Sequence, residues 1–502
     1  MKRVQKMNER KISIACLLAV FLLPIAPAFA QQTLTLEECR AMALEHNKKI
    51  RMAQEDAQIA ALQKKTANAN YFPKVTLNGG YLRTGKALKP LENDLFLPIV
   101  PFNTIDPQTG KFNPQALQDP ATAMNTLVMN PQTGAPMTDA AGNPVFKNYA
   151  MLPADKLVFD NPNKYFARLS VNQPLFTGFK ITEANNIAKH AENIANQNLL
   201  LSQAEIINKT DEAYWRVVSL QEKVKLAKAY ETLLDRLVID LENIYAEGII
   251  TRNDVLKAKV KQNEAKLKSL KADNGLELSK MALAQIISVN SKDIVVPEQA
   301  VDESATLVGI NSDFSAENRA EIAMLKEKVA IMESSKNIEH SKFMPDILLT
   351  GGYGWMNPNP YNGLRSEFGG DWSVGVVVSM PIFTWGERKS KLNAAKVKQQ
   401  RAQLELDEAR EMIDLQIRQN QFKYTESVKK VEMTKLSKEQ AEENMRTAEE
   451  NMLEGRTRLS ELLEAQVQWE SASSDYIDAL IEVKTTLSEL EKSTGEIYKH
   501  LP

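Results

Sequence analysis

"PLFTGFK" at Pro174–Lys180 returns in altered form as "PIFTWGE" at Pro381–Glu387. Each copy opens a very long stretch without proline: from Pro174 to Pro297, and from Pro381 to the terminal Pro502. Those stretches hold few glycines and are rich in Ala, Glu, Lys, Gln and Leu, the good helix formers. Other pieces repeat as well. "AEGIITRNDVLKAKV" (Ala246–Val260) lies over "LEGRTRLSELLEAQV" (Leu453–Val467) at the same offset, 207, as the two Pro-x-Phe-Thr stretches. Upstream, "YFPKVTLNGGY" (Tyr71–Tyr81) lies over "FMPDILLTGGY" (Phe343–Tyr353) at an offset of 272, and 47–57 lies over the segment from Asn318 on at an offset of 271. The difference, 65, is an insertion confined to the first copy. Two offsets held to within one residue over so much chain mean an internal duplication.

The amino terminus lies outside this unit. Lys2, Arg3, Lys6, Arg10 and Lys11 precede the apolar run Ile12–Phe29, and Ala28-Phe29-Ala30 is a small-x-small cleavage pattern. Residues 1–30 therefore read as a signal peptide, and the chain as exported. Removing that leader leaves Cys39 as the lone cysteine, excluding an intrachain disulfide, and leaves a net charge near −6. That charge argues against nucleic acid as a partner. No later apolar run is long enough for a membrane-spanning helix, but a β-barrel remains open, since its signal per strand is weaker.

Each copy reads as helix, strand, loop, strand, long helix, turn, helix. Four strands are expected, at about 74–82, 164–173, 346–354 and 372–380. In the first, Val75, Leu77 and Tyr81 alternate with Lys74, Thr76 and Asn78; in the fourth, Trp372, Val374, Val376 and Val378 share a face. The third leaks, because Leu348 falls on the polar side. Strands of nine or ten residues suit a tilted crossing of a bilayer, apolar side to lipid and polar side to water. Pro73, Pro174, Pro345 and Pro381 stand at the expected strand–helix junctions, where a missing N–H is tolerated, and aromatics such as Phe72, Phe343 and Trp385 cluster beside them. Four strands cannot close a barrel, so copies of the chain must pool strands: two copies give eight and three give twelve. The stretch from Phe179 to Glu247 would form a helix of roughly 100 Å. On it Leu220, Ala227, Leu234 and Leu241 recur every seven residues, with Val224, Val238 and Tyr245 beside them, which is coiled-coil spacing. Gly248 and Gly455 sit where the rods reverse.

The duplicated pattern, with its Pro-Leu/Ile-Phe strand exits and its glycine tips followed by acidic and Leu/Ala residues, resembles the TolC-like outer membrane efflux proteins over about Leu34 to Lys499. The resemblance implies a mainly α fold with a membrane β-barrel: a homotrimer sharing twelve strands, with a long α-helical periplasmic tunnel. It implies an outer-membrane location with a periplasmic extension. Its partners would be a periplasmic adaptor (membrane fusion) protein, an inner-membrane pump of RND or ABC type, and outer-membrane lipid. Residues 31–290 would form the first repeat, with an extracellular insertion at 83–163; 291–316 a linker or equatorial region, with room for one short strand; and 317–500 the second repeat. The tips, Gly248, Ile249, Ile250 and Thr251 with Gly455 and Thr457, would meet the adaptor. Glu461 and Glu464 would form acidic rings at the tunnel entrance, and Asp254 would pair with Arg456 or Arg458 as a gate. The insertion's role is open: a plug, a target for phage or antibody, or a passive surface loop.

His46, His190, His340 and His500 are scattered, and no metal-ligand spacing, phosphate loop or nucleophile elbow is present. The expectation is a passive duct with no cofactor and no catalysis, exporting small molecules such as drugs and toxic compounds. The alternatives are the outer channel of a type I protein secretion system and, in another class, a coiled-coil surface stalk or adhesin.

Overall fold

The computed structural model describes residues 34–290, 294, 297 and 315–501. The expected signal peptide, and the strand considered within the linker, fall outside the described residues. The chain divides into a helical unit and a β unit, the latter formed by Asn70–Gly178 and Met344–Pro381.

In the helical unit, α1 (Leu36–His46) and α2 (Lys48–Asn68) precede α4 (Lys180–Ala246) and α5 (Arg252–Ile287). The second copy supplies α6 (Ala320–Ser341), α7 (Glu387–Leu453) and α8 (Leu459–Thr494). The duplication survives at the level of single caps. α4 and α7 each run 67 residues and α5 and α8 each run 36. Two successive left-handed residues open each long helix, Gly178-Phe179 in one copy and Trp385-Gly386 in the other. Left-handed caps again close α5 at Ser288 and α8 at Gly495, 207 residues apart.

Most of the seam on α4 forms as its spacing predicts: Ala227, Leu234, Leu241, Val224 and Val238 are buried, and Leu220 is half-buried. Tyr245 is a correction, being 44 % exposed. It lies in the last turn of α4, and α5 does not begin until Arg252, so no facing turn covers it. Toward the tips the helices pack in the order α5-α4-α8-α7, and in the other half in the order α2-α4-α6-α7.

α1 is pinned to α4, α5 and α8 by an apolar cluster that includes Cys39, Ile50, Tyr214, Leu283 and Ile481. Burial, helped by Glu38 and Glu37, pushes the Cys39 thiol from 9.0 up to about 12. Burial and the neighbouring Cys39 push the Tyr214 phenol from 10.0 up to about 12. Both folded-state values are raised, so the stability they contribute is complete below about pH 9 and is lost as the pH climbs from there through 12. The melting temperature is therefore expected to stay level to about pH 8 and fall steeply above pH 9, and a Cys39→Ala variant should fall later. A flat alkaline limb in the parent protein would contradict this.

In the β unit, β1 (Lys74–Arg83), β4 (Asn163–Thr177), β5 (Asp346–Asn357) and β6 (Gly369–Ser379) form one antiparallel sheet in the order β1-β4-β5-β6. Its register puts Val75, Leu77, Tyr81, Leu169, Val171, Leu349, Tyr353, Trp372, Val374 and Val376 on one face. The large apolar groups there stand open in the single chain: Leu77 is 72 % exposed and Trp372 is 69 % exposed. Leu348, which broke the alternation, pairs with Pro174 and Val377 on the other face, so the leak is a small apolar patch where that face ends.

Pro174 is also corrected. It lies inside β4, which continues to Thr177, and the register slips by one residue between Pro174 and Phe176. The β1 ladder has already ended at Lys74–Asn172, so a residue lacking N–H sits where β4 has lost one neighbour, beside a bulge. Pro73, Pro345 and Pro381 do stand between a helix and a strand.

The insertion is ordered rather than plain loop. It carries a two-stranded ribbon of β2 (Leu95–Pro98) and β3 (Tyr149–Leu152) and a short helix, α3 (Pro120–Thr126). The repeated "PQTG" pieces form matched turns. Asp106 and Asn130 accept hydrogen bonds from the amides of Gln108 and Gln132, and Gly110 and Gly134 close the turns at φ 64° and 69°.

Candidate channel entrance and assembly edges

Both rods end in the same hydrogen-bonded reversal. At the first, the Gly248 N–H donates to Tyr245 O (2.9 Å) and the Ile249 N–H donates to Ile244 O (3.3 Å). At the second, Gly455 donates to Met452 O (3.0 Å) and Arg456 to Asn451 O (2.8 Å). These pairs are the Schellman pattern, which satisfies the last carbonyls of a helix through a left-handed residue. Gly248 has φ 83° and Gly455 φ 71°, and no atom lies within 4 Å of where a Cβ would be added at either. Alanine at either glycine is therefore expected to cost only backbone strain, about 1–2 kcal/mol, with asparagine costing less. Thermal melting of the two series checks this, and equal losses for Ala and Asn would contradict it.

The turns differ after the glycine. Thr251 caps α5: its Oγ1 accepts from the Asp254 N–H (3.3 Å) and donates to the Asp254 carboxylate (2.7 Å), which also accepts from the Thr251 N–H. Those hydrogen bonds, with Lys257 nearby, hold the Asp254 carboxyl below its usual range. The matching N-cap of α8 is Arg458, whose side chain makes no cap. Instead the Thr457 hydroxyl donates to the Glu461 carboxylate.

The sequence-derived gate is thus not assembled within one chain. Asp254 is held by its own cap, Arg456 pairs with Glu454 at 2.7 Å, and Arg458 makes no ion pair among the described residues. Glu461 and Glu464 are both exposed, one turn apart, while Leu459, Leu462, Leu463 and Gln466 point inward. Leu459 and Leu463 join Leu234, Val238, Leu241, Val255 and Ala258 in one core that braces the two tips. Ile250 packs on that core, whereas Ile249 is 70 % exposed. Among the described residues no cluster of His, Cys, Asp or Glu could hold a metal. No described helix is long and apolar enough to cross a membrane.

The features that sequence reasoning missed are the edges of the helical unit. On α5, Leu256, Val260, Leu267, Leu270, Leu278 and Met281 are all at least half exposed and fall within about 40° of one line along the helix. The buried residues of α5, such as Ala258, Ala265 and Leu283, lie on the opposite side. α7 is built the same way. Val397, Leu404, Met412, Leu415, Phe422, Met433 and Leu436 are exposed, opposite a buried face with Leu406, Ile417 and Tyr424. α2 adds exposed Met52, Ile59 and Leu62. Two-sided apolar helices thus flank the helical unit, and the sheet is likewise open at β1 and β6. The signal of the helical edges in the sequence is a second apolar set on α5 and α7, opposite the buried face of each helix.

The family model described as "Outer membrane efflux protein" matches residues 132–288 and 313–496. The chain shares its fold with the outer membrane protein VceC from Vibrio cholerae, with a TM-score of 0.67 and 16 % identity, covering 92 % of this chain and 96 % of that one. It is similar also to the CmeC outer membrane channel of Campylobacter jejuni (TM-score 0.65, 15 % identity, 93 % and 90 % covered). The open state of the Neisseria gonorrhoeae MtrE outer membrane channel is a third (TM-score 0.65, 17 % identity, 92 % and 88 % covered). No curated protein sequence matches.

Proposed function

The chain belongs to the outer membrane efflux protein family, and on that premise we propose that it is the exit duct of a tripartite export system. The observation that carries the reading is that both units are unpartnered at both edges. The sheet ends at β1 and β6, and the helical unit ends in bare apolar stripes on α5 and α7. In lipid an unpaired strand edge costs several kcal/mol per backbone group. A closed ring of copies removes both problems at once. With three copies, the number the family resemblance implies, the sheet becomes a twelve-stranded barrel with its apolar face to lipid.

In this reading the paired tips form the periplasmic entrance and the surface an adaptor meets, through Gly248, Ile249, Ile250, Thr251, Gly455 and Thr457. Glu461 and Glu464 become rings of carboxylate that favour cations. Arg458, which makes no ion pair among the described residues of its own chain, and Arg456 are the basic side chains for a contact with a neighbouring Asp254. The duct performs no chemistry; an inner-membrane pump supplies the work, and small toxic molecules are the cargo.

The test is the protein mass of the particle extracted from the outer-membrane fraction, by light scattering with detergent subtracted. About three chain masses are expected, and a stable single chain would remove the duct. Cells lacking the protein should also accumulate more of a fluorescent pump substrate, and equal accumulation would remove the small-molecule assignment.

A further inference from the structure

The polar face of the sheet carries one line of side chains that the reading above does not use. Asn78 pairs with Arg168, Arg168 with Gly354, and Gly354 with Asp371, so the four form a single row across all four strands. They lie on the face opposite Leu77, Leu169, Tyr353 and Trp372, because neighbours in a strand point to opposite sides. Gly354 contributes no side chain, so the guanidinium and the carboxylate stand on either side of a gap. A cavity of about 420 Å³ opens there, lined by Asn78, Arg168 and Asp371 together with Phe166, Met356 and Tyr361. The Arg168 side chain makes no hydrogen bond or ion pair among the described residues. Among the described residues the Asp371 carboxylate accepts only from the adjacent Trp372 N–H (2.8 Å).

The next row, Gly80, Phe166, Met356 and Gly369, is apolar. The Phe166 ring lies over Gly80, where an added Cβ would come within 2.5 Å of it. A charged row thus sits directly beside an apolar one, and among the described residues Arg168 has no anionic partner and Asp371 no cationic one.

We propose that this double row is a selectivity ring within the barrel, suited to amphiphilic ions. Phe166 and Met356 take the apolar body, and Arg168 and Asp371 orient the charge. The inference rests on the closed ring of copies. Repeating the strand order around that ring places Arg168 and Asp371 alternately along its wall, which gives the lumen a transverse field instead of a net charge. Charges fixed on a confined wall change the local concentration of permeating ions.

The experiment places a thiol in the row by Asn78→Cys; Cys39 is buried and stays silent. Rates of modification by an anionic and a cationic methanethiosulfonate are measured on the assembled protein in outer-membrane vesicles. The introduced thiol should react with both reagents. Adding Arg168→Ala should slow the anionic reagent relative to the cationic one by about threefold, whereas Arg168→Lys should leave the ratio in place. Asp371→Asn should move the ratio the other way. A thiol that neither reagent reaches in particles of unchanged mass, or a ratio that ignores both substitutions, would overturn the ring. If the ratios shift but the reconstituted parent protein conducts no ions, the duct fails while the charged lining stands.

Discussion

Replacing Arg40 by alanine should lower the stability of the helical unit by about 3–5 kcal/mol, the usual loss when one partner of a buried ion pair is removed. Arg40 reaches from α1 to α4, where Nε donates to Asp211 Oδ1 and Nη2 to Oδ2, both at 2.7 Å. The Asp211 side chain is 1 % exposed. Its second oxygen also accepts from the Ser488 hydroxyl of α8 at 2.6 Å, and that hydroxyl lies 3.3 Å from Asn208 Oδ1. One guanidinium therefore holds three helices through one carboxylate. Without it, a carboxylate remains in the core with a single hydroxyl as donor. Lysine restores the charge but not the two-pronged geometry, so Arg40→Lys should fall between. Changing both partners to apolar residues, Arg40→Met with Asp211→Leu, should recover much of the loss, because no charge is then stranded. Denaturant melts of the four proteins in detergent check the cycle. A loss below about 1 kcal/mol for Arg40→Ala would mean that water reaches Asp211 freely and that the pair behaves as a surface bridge.

What the sequence disclosed and what it hid divide along a physical line. Periodicity exposed the long helices, the four strands and the glycine reversals, because each depends on local spacing that a single copy of the chain must obey. The duplication sharpened this, since the reversal at Gly248 predicts another at Gly455. Pro174 was misplaced because a proline before a helix reads the same whether the strand ends at it or bulges past it. Only the lost β1 neighbour decides, and that is a tertiary fact. The charged row at Arg168 was invisible for the same reason, as its members come from four separate strands and meet through register alone. The Arg40–Asp211 pair lies 171 residues apart in sequence, and nothing local marks either residue among so many charges. The proposed gate shows the converse. Asp254 could be picked out from its place after the tip glycine, but the same spacing also makes it the partner of Thr251 in a capping box, and within one chain the cap holds it.

Glutamate at both Leu267 and Leu270 is expected to abolish assembly while leaving the single chain folded. The two leucines are 51 % and 58 % exposed on α5, and exposed substitutions of this kind usually move stability by no more than about 0.5 kcal/mol. In a ring of copies they face a neighbouring chain instead of water. Burying an unpaired carboxylate at such a contact costs several kcal/mol, and the ring repeats that cost at every junction. The particle mass should drop from three chains to one while the far-ultraviolet helical signal persists. Because a closed ring needs both edges, Leu415→Glu with Phe422→Glu on α7 should give the same single chain, although that stripe lies on a different helix with a different buried face. Alanine at the same four positions removes contact area without burying charge, so it should weaken assembly and not end it. If the α5 variant stays fully assembled, its stripe does not meet another copy. If the α5 variant dissociates and the α7 variant does not, the chains associate through one edge only. An association of that kind can join only two copies and forms no ring, so the sheet edges left open would have to be covered by something other than a ring of copies.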